Sequence, residues 1–196
     1  MGVPIVKFNL EQFIDWENQQ IDRHEFYRGE IFSMVGVKRV HGLVGLNVAT
    51  SLKQQLSGSA CGVFVESLKL KVNESIFYPD VFVTCDKADL QTDMIFVAPT
   101  AIVEVLSPST QAFDRGLKFA AYRQIAQLKE YLLVDPDSRA VELYRRGAEG
   151  LFTLHDYTDQ AACKLASIGC ILKLADIFDG LMPVQPVESG GASKKI

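Results

Sequence analysis

The sequence predicts an α/β fold in a single domain, on three observations. Short apolar runs of strand length, bounded by turn residues, alternate with longer stretches whose apolar residues recur at helical spacing. One run, Ala101 to Leu106, is apolar except for Glu104, as in a strand covered on both faces. At 196 residues and 48% hydrophobic content, the chain is large and apolar enough to bury one core.

The elements follow in chain order. Asn9, with Glu11 and Gln12, opens a helix from Leu10 to about Gln20, with Leu10, Phe13, Ile14 and Ile21 sharing a face. His24 to Val35 is strand-like around the turn-prone Arg28-Gly29. Leu43, Val44, Leu46, Val48, Leu52 and Leu56 give His41 to Leu56 the repeat of a longer helix, which Gly58 ends. Gly62 to Val65, Leu68 to Val72 and Val81 to Thr84 are three strands, expected to form a meander. Ser107-Pro108-Ser109-Thr110 then turns the chain into a helix over Gln111 to Ile125. Tyr131 to Val134 and Ala140 to Tyr144 are strands flanking the turn Asp135-Pro136-Asp137, with Phe152 to His155 expected to pair beside them. Leu174 to Phe178 reads as one helical turn. The Gly- and Ser-rich residues 186–196 read as a disordered tail beyond a domain of residues 1–185.

Composition excludes several function classes. No run of about 18 uncharged apolar residues occurs, and Met1 to Leu10 lacks a basic region followed by an apolar block. A soluble, cytoplasmic protein without a membrane segment is expected. Cys61, Cys85, Cys163 and Cys170 include no CxxC pair and have no histidine at zinc-ligand spacing, so they are expected to be reduced structural thiols, with no zinc. A net charge of −4 argues against attachment to nucleic acid through general charge, so any such surface must be local.

The chemistry-bearing residues cluster in order. Asp80 follows Pro79 at the start of one strand, and Glu104 lies within the next convincing one. Neighbouring strands would bring these carboxylates together. A carboxylate in an apolar strand needs a cation, a salt bridge or a solvent-filled cleft. Asp80 and Glu104 offer the hard oxygen ligands that suit Mg²⁺ or Mn²⁺. Lys118, one turn after Asp114, is placed to stabilise developing negative charge or to orient a water. The competing readings are a turn role for Asp80 and a buried salt bridge from Glu104 to Lys118 or a nearby arginine.

These residues resemble a known family. Tyr78-Pro79-Asp80-Val81, Val103-Glu104-Val105-Leu106-Ser107-Pro108-Ser109-Thr110, then Asp114, Lys118 and Tyr122, and Glu130-Tyr131-Leu132-Leu133-Val134-Asp135-Pro136 are similar to the Uma-two family of restriction-endonuclease-like proteins. Glu25 to Ile31, His41 and Leu165 to Phe178 look like its flanking segments. The resemblance implies a PD-(D/E)XK fold, a restriction-endonuclease-like mixed β-sheet flanked by helices, with a divalent-metal phosphodiesterase site. It carries over Asp80 and Glu104 as metal ligands and Lys118 as the catalytic lysine. Leu106 stands where the superfamily signature has its lysine, so a migrated lysine is required: Lys118, with Lys69 and Lys71 as alternatives.

Glu25, Glu30, His41, Asp114 and Tyr122 are candidates for outer positions around this site, His41 as a cap-region residue or a substrate contact. Lys38, Arg39, Arg115 and Arg123, in two segments rich in basic residues, are candidates for nucleic-acid contact. The expected function is a Mg²⁺- or Mn²⁺-dependent endonuclease acting on DNA, with homo-oligomerisation compatible with cutting two strands. The alternatives are a non-catalytic binding or assembly protein on the same fold, and a hydrolase of small phosphate esters.

Overall fold

The structure is a computed structural model that describes residues 8–34, 36 and 38–182. A six-stranded sheet forms its centre. Along the chain its strands are β3 (Gly62–Val65), β6 (Val81–Thr84), β8 (Ala101–Val105), β9 (Glu130–Asp135), β10 (Ala140–Arg146) and β11 (Phe152–Asp156). Their spatial order is β11-β10-β9-β8-β6-β3. Only β8 and β9 run parallel; the other pairs are antiparallel. A parallel pair needs a crossover, and residues between β8 and β9 supply one through α3 (Gln111–Phe113), a π-helical turn (Asp114–Lys118) and α4 (Phe119–Tyr122).

One face of this sheet is covered by α2 (Arg39–Gln55), the hairpin β12 (Ala162–Leu165) and β13 (Cys170–Lys173), and the short α5 (Leu174–Ile177). Val44, Val48 and Leu52 of α2 pack there with Val81, Val103 and Val105 of the sheet and with Leu165 and Leu172 of the hairpin. The buried carboxylate of Glu130 ties that hairpin down. It accepts hydrogen bonds from the Arg145 side chain, from the backbone of Ala166 and Ser167, and from the Ser167 hydroxyl.

The opposite face meets the crossover helix and a second, five-stranded sheet. That sheet contains β1 (His24–Tyr27), β2 (Glu30–Ser33), β4 (Lys69–Val72), β5 (Ser75–Phe77) and β7 (Ile95–Phe96), in the order β2-β1-β5-β4-β7. Phe77, Phe82, Phe96, Ile102, Tyr122 and Tyr131 fill the space between, several in ring-to-ring contact. Outside this sheet lies α1 (Leu10–Glu17), whose Phe13 stacks on Phe26 with centroids 4.8 Å apart. Its start is the reciprocal capping box of Asn9 and Gln12 that the sequence indicated. Arg28 and Gly29, both at positive φ, make the two-residue turn that splits the expected 24–35 strand into the hairpin β1–β2. Val35 lies outside the described residues, as does the 186–196 tail.

Three expectations are corrected. The runs at 62–65, 68–72 and 81–84 do not form one meander, because β3 pairs with β6 in the large sheet while β4 leaves for the small one. Asn73, at positive φ, turns β4 into β5, a three-residue strand too short to show periodicity. Ile21 does not share the α1 face. The helix stops at Glu17, and Ile21 is 98% exposed beyond it.

The third correction concerns the thiols. Cys61 and Cys85 form a disulfide, whereas Cys163 and Cys170 are free and buried, as expected. The β3–β6 register pairs Gly62 with Thr84, so its next step sets Cys61 opposite Cys85. Linear spacing does not disclose a cross-strand pair. Closing a 24-residue separation should contribute about 3 kcal/mol by constraining the unfolded chain. Cys61→Ser/Cys85→Ser should therefore lower the urea midpoint relative to the oxidised parent and match the reduced parent. Thiol titration of the oxidised, denatured protein should find two free thiols, and finding four would overturn the pairing.

Candidate active site

The two carboxylates are brought together by strand register. Val81 of β6 pairs with Val103 of β8, and one further step of that antiparallel ladder sets Asp80 opposite Glu104. Residues directly opposite have their Cβ atoms about 5 Å apart, and like charges there repel. The backbone of Asp80 is fixed where its carbonyl accepts a hydrogen bond from Glu66 N–H, at 3.2 Å. Its Oδ2 accepts a second from Val105 N–H, at 2.7 Å, and Nε2 of His41 in the first turn of α2 lies 3.3 Å from the same oxygen.

Glu104, buried in β8, likewise has its protein contacts on one oxygen. Oε1 receives the Lys118 ammonium at 3.2 Å and the Tyr122 hydroxyl at 2.9 Å. Lys118 ends the π-helical turn and reaches three carboxylates: Glu25 at 2.9 Å, Glu104 at 3.2 Å and Asp114 at 3.4 Å. Glu25 on β1 also accepts from Tyr78 N–H. The π turn is held from the sheet by Tyr131, whose hydroxyl donates to the Asp114 carbonyl at 3.0 Å. Such turns recur at functional sites, where they re-aim side chains.

Glu25, His41, Asp80, Glu104, Asp114 and Lys118 line a cavity of about 410 Å³, together with residues that include Phe32, Met34, Ser109, Thr110 and Phe113. Four carboxylates, Glu25, Asp80, Glu104 and Asp114, thus share one lysine and one histidine. Burial pushes Glu104 well above the usual carboxylate range; Lys118 pulls it down, and the neighbouring carboxylates push it further up. Burial raises Glu25 and Asp114 for the same reason. Burial would lower Lys118, but the four carboxylates outweigh it and hold the side chain as an ammonium. For His41, too, burial acts downward and is outweighed by Asp80, so its imidazole is raised.

The donor set fits a hard divalent cation. On Asp80 and on Glu104 the contacts described fall on one oxygen, leaving Oδ1 and Oε2 for a ligand. Among the described residues no group of three or more His, Cys, Asp or Glu side chains is arranged to hold a metal ion. Two carboxylates with one free oxygen each suit Mg²⁺ or Mn²⁺, which keep waters and take substrate oxygens alongside one or two carboxylates.

Several candidates lie elsewhere. Glu30 sits exposed at the turn end of β2 and does not line the cavity. Arg115 is paired with Glu142 at 2.8 Å, and Arg123 is exposed at the end of α4. Arg39 is exposed at the start of α2, and Lys38 lines a neighbouring cavity. Lys69 is occupied by Asn18 Oδ1 at 3.0 Å, and Lys71 lines a depression beside α1, so neither stands beside Glu104. The contact of His41 with Asp80 was not readable from their separation in sequence. Nor was the grip of Val105 N–H on Asp80, although the Pro79-Asp80 step before a strand marks where it forms.

The sequence pattern of the Uma2 family, described as "Putative restriction endonuclease", matches residues 10–168. This chain belongs to the Uma2 family. It is 34% identical over 182 residues to the uncharacterized protein slr1290 of Synechocystis sp., covering 92% of this chain and 96% of that one. A second uncharacterized Synechocystis protein, sll1609, is 33% identical over 139 residues, or 69% of this chain and 78% of that one. The fold matches the crystal structure of a putative nuclease belonging to DUF820 from Anabaena variabilis, at a TM-score of 0.73 and 17% identity, over 87% of this chain and 97% of that chain. The match supports the restriction-endonuclease-like architecture of the Uma2 chain. No helix among its described residues is long and apolar enough to cross a membrane.

The burial of Glu104 among other carboxylates has a measurable consequence. Glu104 binds its proton more tightly folded than unfolded, so its stabilising contribution is complete below its ordinary value of 4.5 and is lost as pH rises through the higher folded value. Glu104→Gln removes that penalty while Lys118 keeps Glu25 and Asp114. The variant should melt a few degrees above the parent at mildly alkaline pH, with the gain shrinking towards pH 4.5. A variant less stable than the parent throughout would show that the Lys118–Glu104 pair outweighs the crowding.

Proposed function

We propose that this chain is a divalent-cation-dependent endonuclease that hydrolyses DNA phosphodiester bonds. The observation that carries the reading is the pair of opposed carboxylates, Asp80 and Glu104, each with one oxygen held by protein donors, beside a buried lysine in an open cavity. A bound Mg²⁺ or Mn²⁺ would polarise the phosphodiester and acidify an attacking water. Asp80 and Glu104 would hold it through Oδ1 and Oε2.

The protein groups divide the remaining work. Lys118 has no lone pair to offer as an ammonium, so it serves to stabilise negative charge and to position a water or phosphate oxygen, not to abstract a proton. Glu25 and Asp114 hold its Nζ in place, and Tyr122 fixes the Glu104 rotamer. Val105 N–H and His41 do the same for Asp80. Phe32, Met34 and Phe113 give the cavity an apolar wall that limits access of bulk water.

One observation favours a second reading. Lys118 is already surrounded by carboxylates, the arrangement of a purely structural ion cluster in a non-catalytic binding protein. Cleavage separates the two. Incubated with supercoiled or linear DNA, the protein should cut in Mg²⁺ or Mn²⁺ and not in EDTA. Asp80→Ala, Glu104→Ala and Lys118→Ala should each reduce the rate by about 100-fold or more. No cutting of any DNA form with either ion, and no divalent-ion binding by calorimetry, would favour the structural reading.

A further inference from the structure

The carboxylate cavity has an aromatic wall that water exclusion alone does not require. Phe32 and Phe113 line it with ring centroids 5.0 Å apart, and Met34 lines the same cavity. We propose that this wall holds an unpaired nucleobase of a DNA strand, so that the substrate is single-stranded or locally unwound DNA and not the closed duplex. The proposal rests on the nuclease reading for the bond that is cut, but the base site itself can be tested without cleavage.

Strand register puts the wall next to the charged groups. Phe32 of β2 pairs directly opposite Glu25 of β1, so its side chain shares a face with the carboxylate that holds Lys118. Phe113 comes from the crossover, one residue before Asp114, and the Lys118 ammonium lies 6.0 Å from its ring centroid. Neither ring is sealed in. Phe32 and Phe113 are half-buried, and Met34 is 37% exposed. Large apolar side chains left open to solvent forgo burial free energy, which a flat apolar ligand laid against them would recover. A mostly apolar lining with a few polar groups, here including the Ser33 hydroxyl, is the usual make-up of a site for a compact organic ligand.

Depth and charge decide against a closed duplex. The side chains of Glu104, Lys118 and Asp80 are only 3%, 8% and 14% exposed, so a phosphodiester must enter the cavity to reach them, and its own nucleotide enters with it. At about 410 Å³ the cavity has the size of a small-molecule site, far below what a double helix fills. Duplex binding also draws on many lysine and arginine contacts to phosphate. The lining offers Lys118, already shared by three carboxylates, and His41, set against Asp80; Arg115 of the π-helical turn is paired with Glu142. The whole chain carries a net charge of −4. With so little electrostatic attraction, stacking has to supply affinity, and every base presents a face that can stack on an aromatic ring.

The test follows binding to the full chain in Ca²⁺, a hard cation that takes the same oxygen ligands, and again in EDTA, with electrophoresis confirming that the DNA stays intact. A short oligonucleotide without self-complementarity is compared with the blunt duplex it forms with its complement. The single strand should bind about tenfold or more tightly than the duplex. It should also move the methyl NMR signal of Met34, assigned with Met34→Leu, upfield through the ring current of the stacked base, which inorganic phosphate cannot do. Phe32→Leu keeps the apolar volume but not the ring. It should weaken binding of the single strand about tenfold without changing the slope of log affinity against log salt, whereas Phe32→Tyr should keep the parent's affinity. No binding of either DNA form, equal affinity for strand and duplex, an unmoved Met34 signal in the complex, or parent-like affinity in Phe32→Leu would overturn the base site even if the protein cuts DNA. If the strand binds as expected but no DNA is ever cut in Mg²⁺ or Mn²⁺, the base site stands and the nuclease reading falls.

Discussion

One buried ammonium holds the functional end of this molecule together. Lys118 meets carboxylates from three separate elements: Glu25 from the small sheet, Glu104 from the large sheet and Asp114 from its own helical segment. Burying a charge is expensive unless it is paired, so placing Lys118 constrains all three partners at once. The small sheet, the large sheet and the crossover helix can close on one another only in the arrangement that satisfies it. The aromatic layer beneath, from Phe77 through Tyr122 to Tyr131, contributes the apolar burial, and its two tyrosines also reach back to the site through their hydroxyls.

This dependence explains how stability and chemistry meet in the same residues. Four carboxylates and one lysine share a largely apolar pocket, and burial, with a smaller push from the neighbouring carboxylates, keeps Glu25, Glu104 and Asp114 above their usual range. A fold optimised for stability alone would replace some of these acids by apolar or amide side chains. On the proposed reading, the crowding would favour a bound cation at the two free carboxylate oxygens. The π-helical turn is part of the same compromise, a departure from regular helix at the segment that ends in Lys118.

His41 lies between this carboxylate-lined pocket and its neighbour. It is placed by the first turn of α2, which otherwise packs its apolar side on the opposite face of the central sheet. The same helix thus covers the core with Val44, Val48 and Leu52 and sets a histidine against Asp80 at its beginning. The disulfide between β3 and β6 closes the edge of the sheet at the far end of the strand that begins next to Asp80, away from both cavities.

Much of the architecture was legible in the sequence because it rests on local patterns. The capping box at Asn9, the long repeat of α2, the run from Ala101 to Val105 and the Asp135-Pro136-Asp137 turn all reappear as elements, since periodicity and turn chemistry act over a few residues. Glu104 stood out for the same reason: a single charge in an apolar strand is an anomaly that needs no partner to be noticed. Pairing of consecutive strands across tight turns, as in 130–156, was legible, whereas pairing between distant segments was not. The division of 62–84 between two sheets and the Cys61–Cys85 bond depend on which strands become neighbours, and linear spacing does not encode that choice. The sequence by itself determined the kinds of element, their order and the chemical character of the site residues. Only the tertiary structure decided that Asp80 faces Glu104, that Lys118 and not Lys69 or Lys71 stands beside it, and that His41 divides two cavities. Those facts arise from register and helix placement between distant segments, which are fixed by burial and charge pairing when the layers come together.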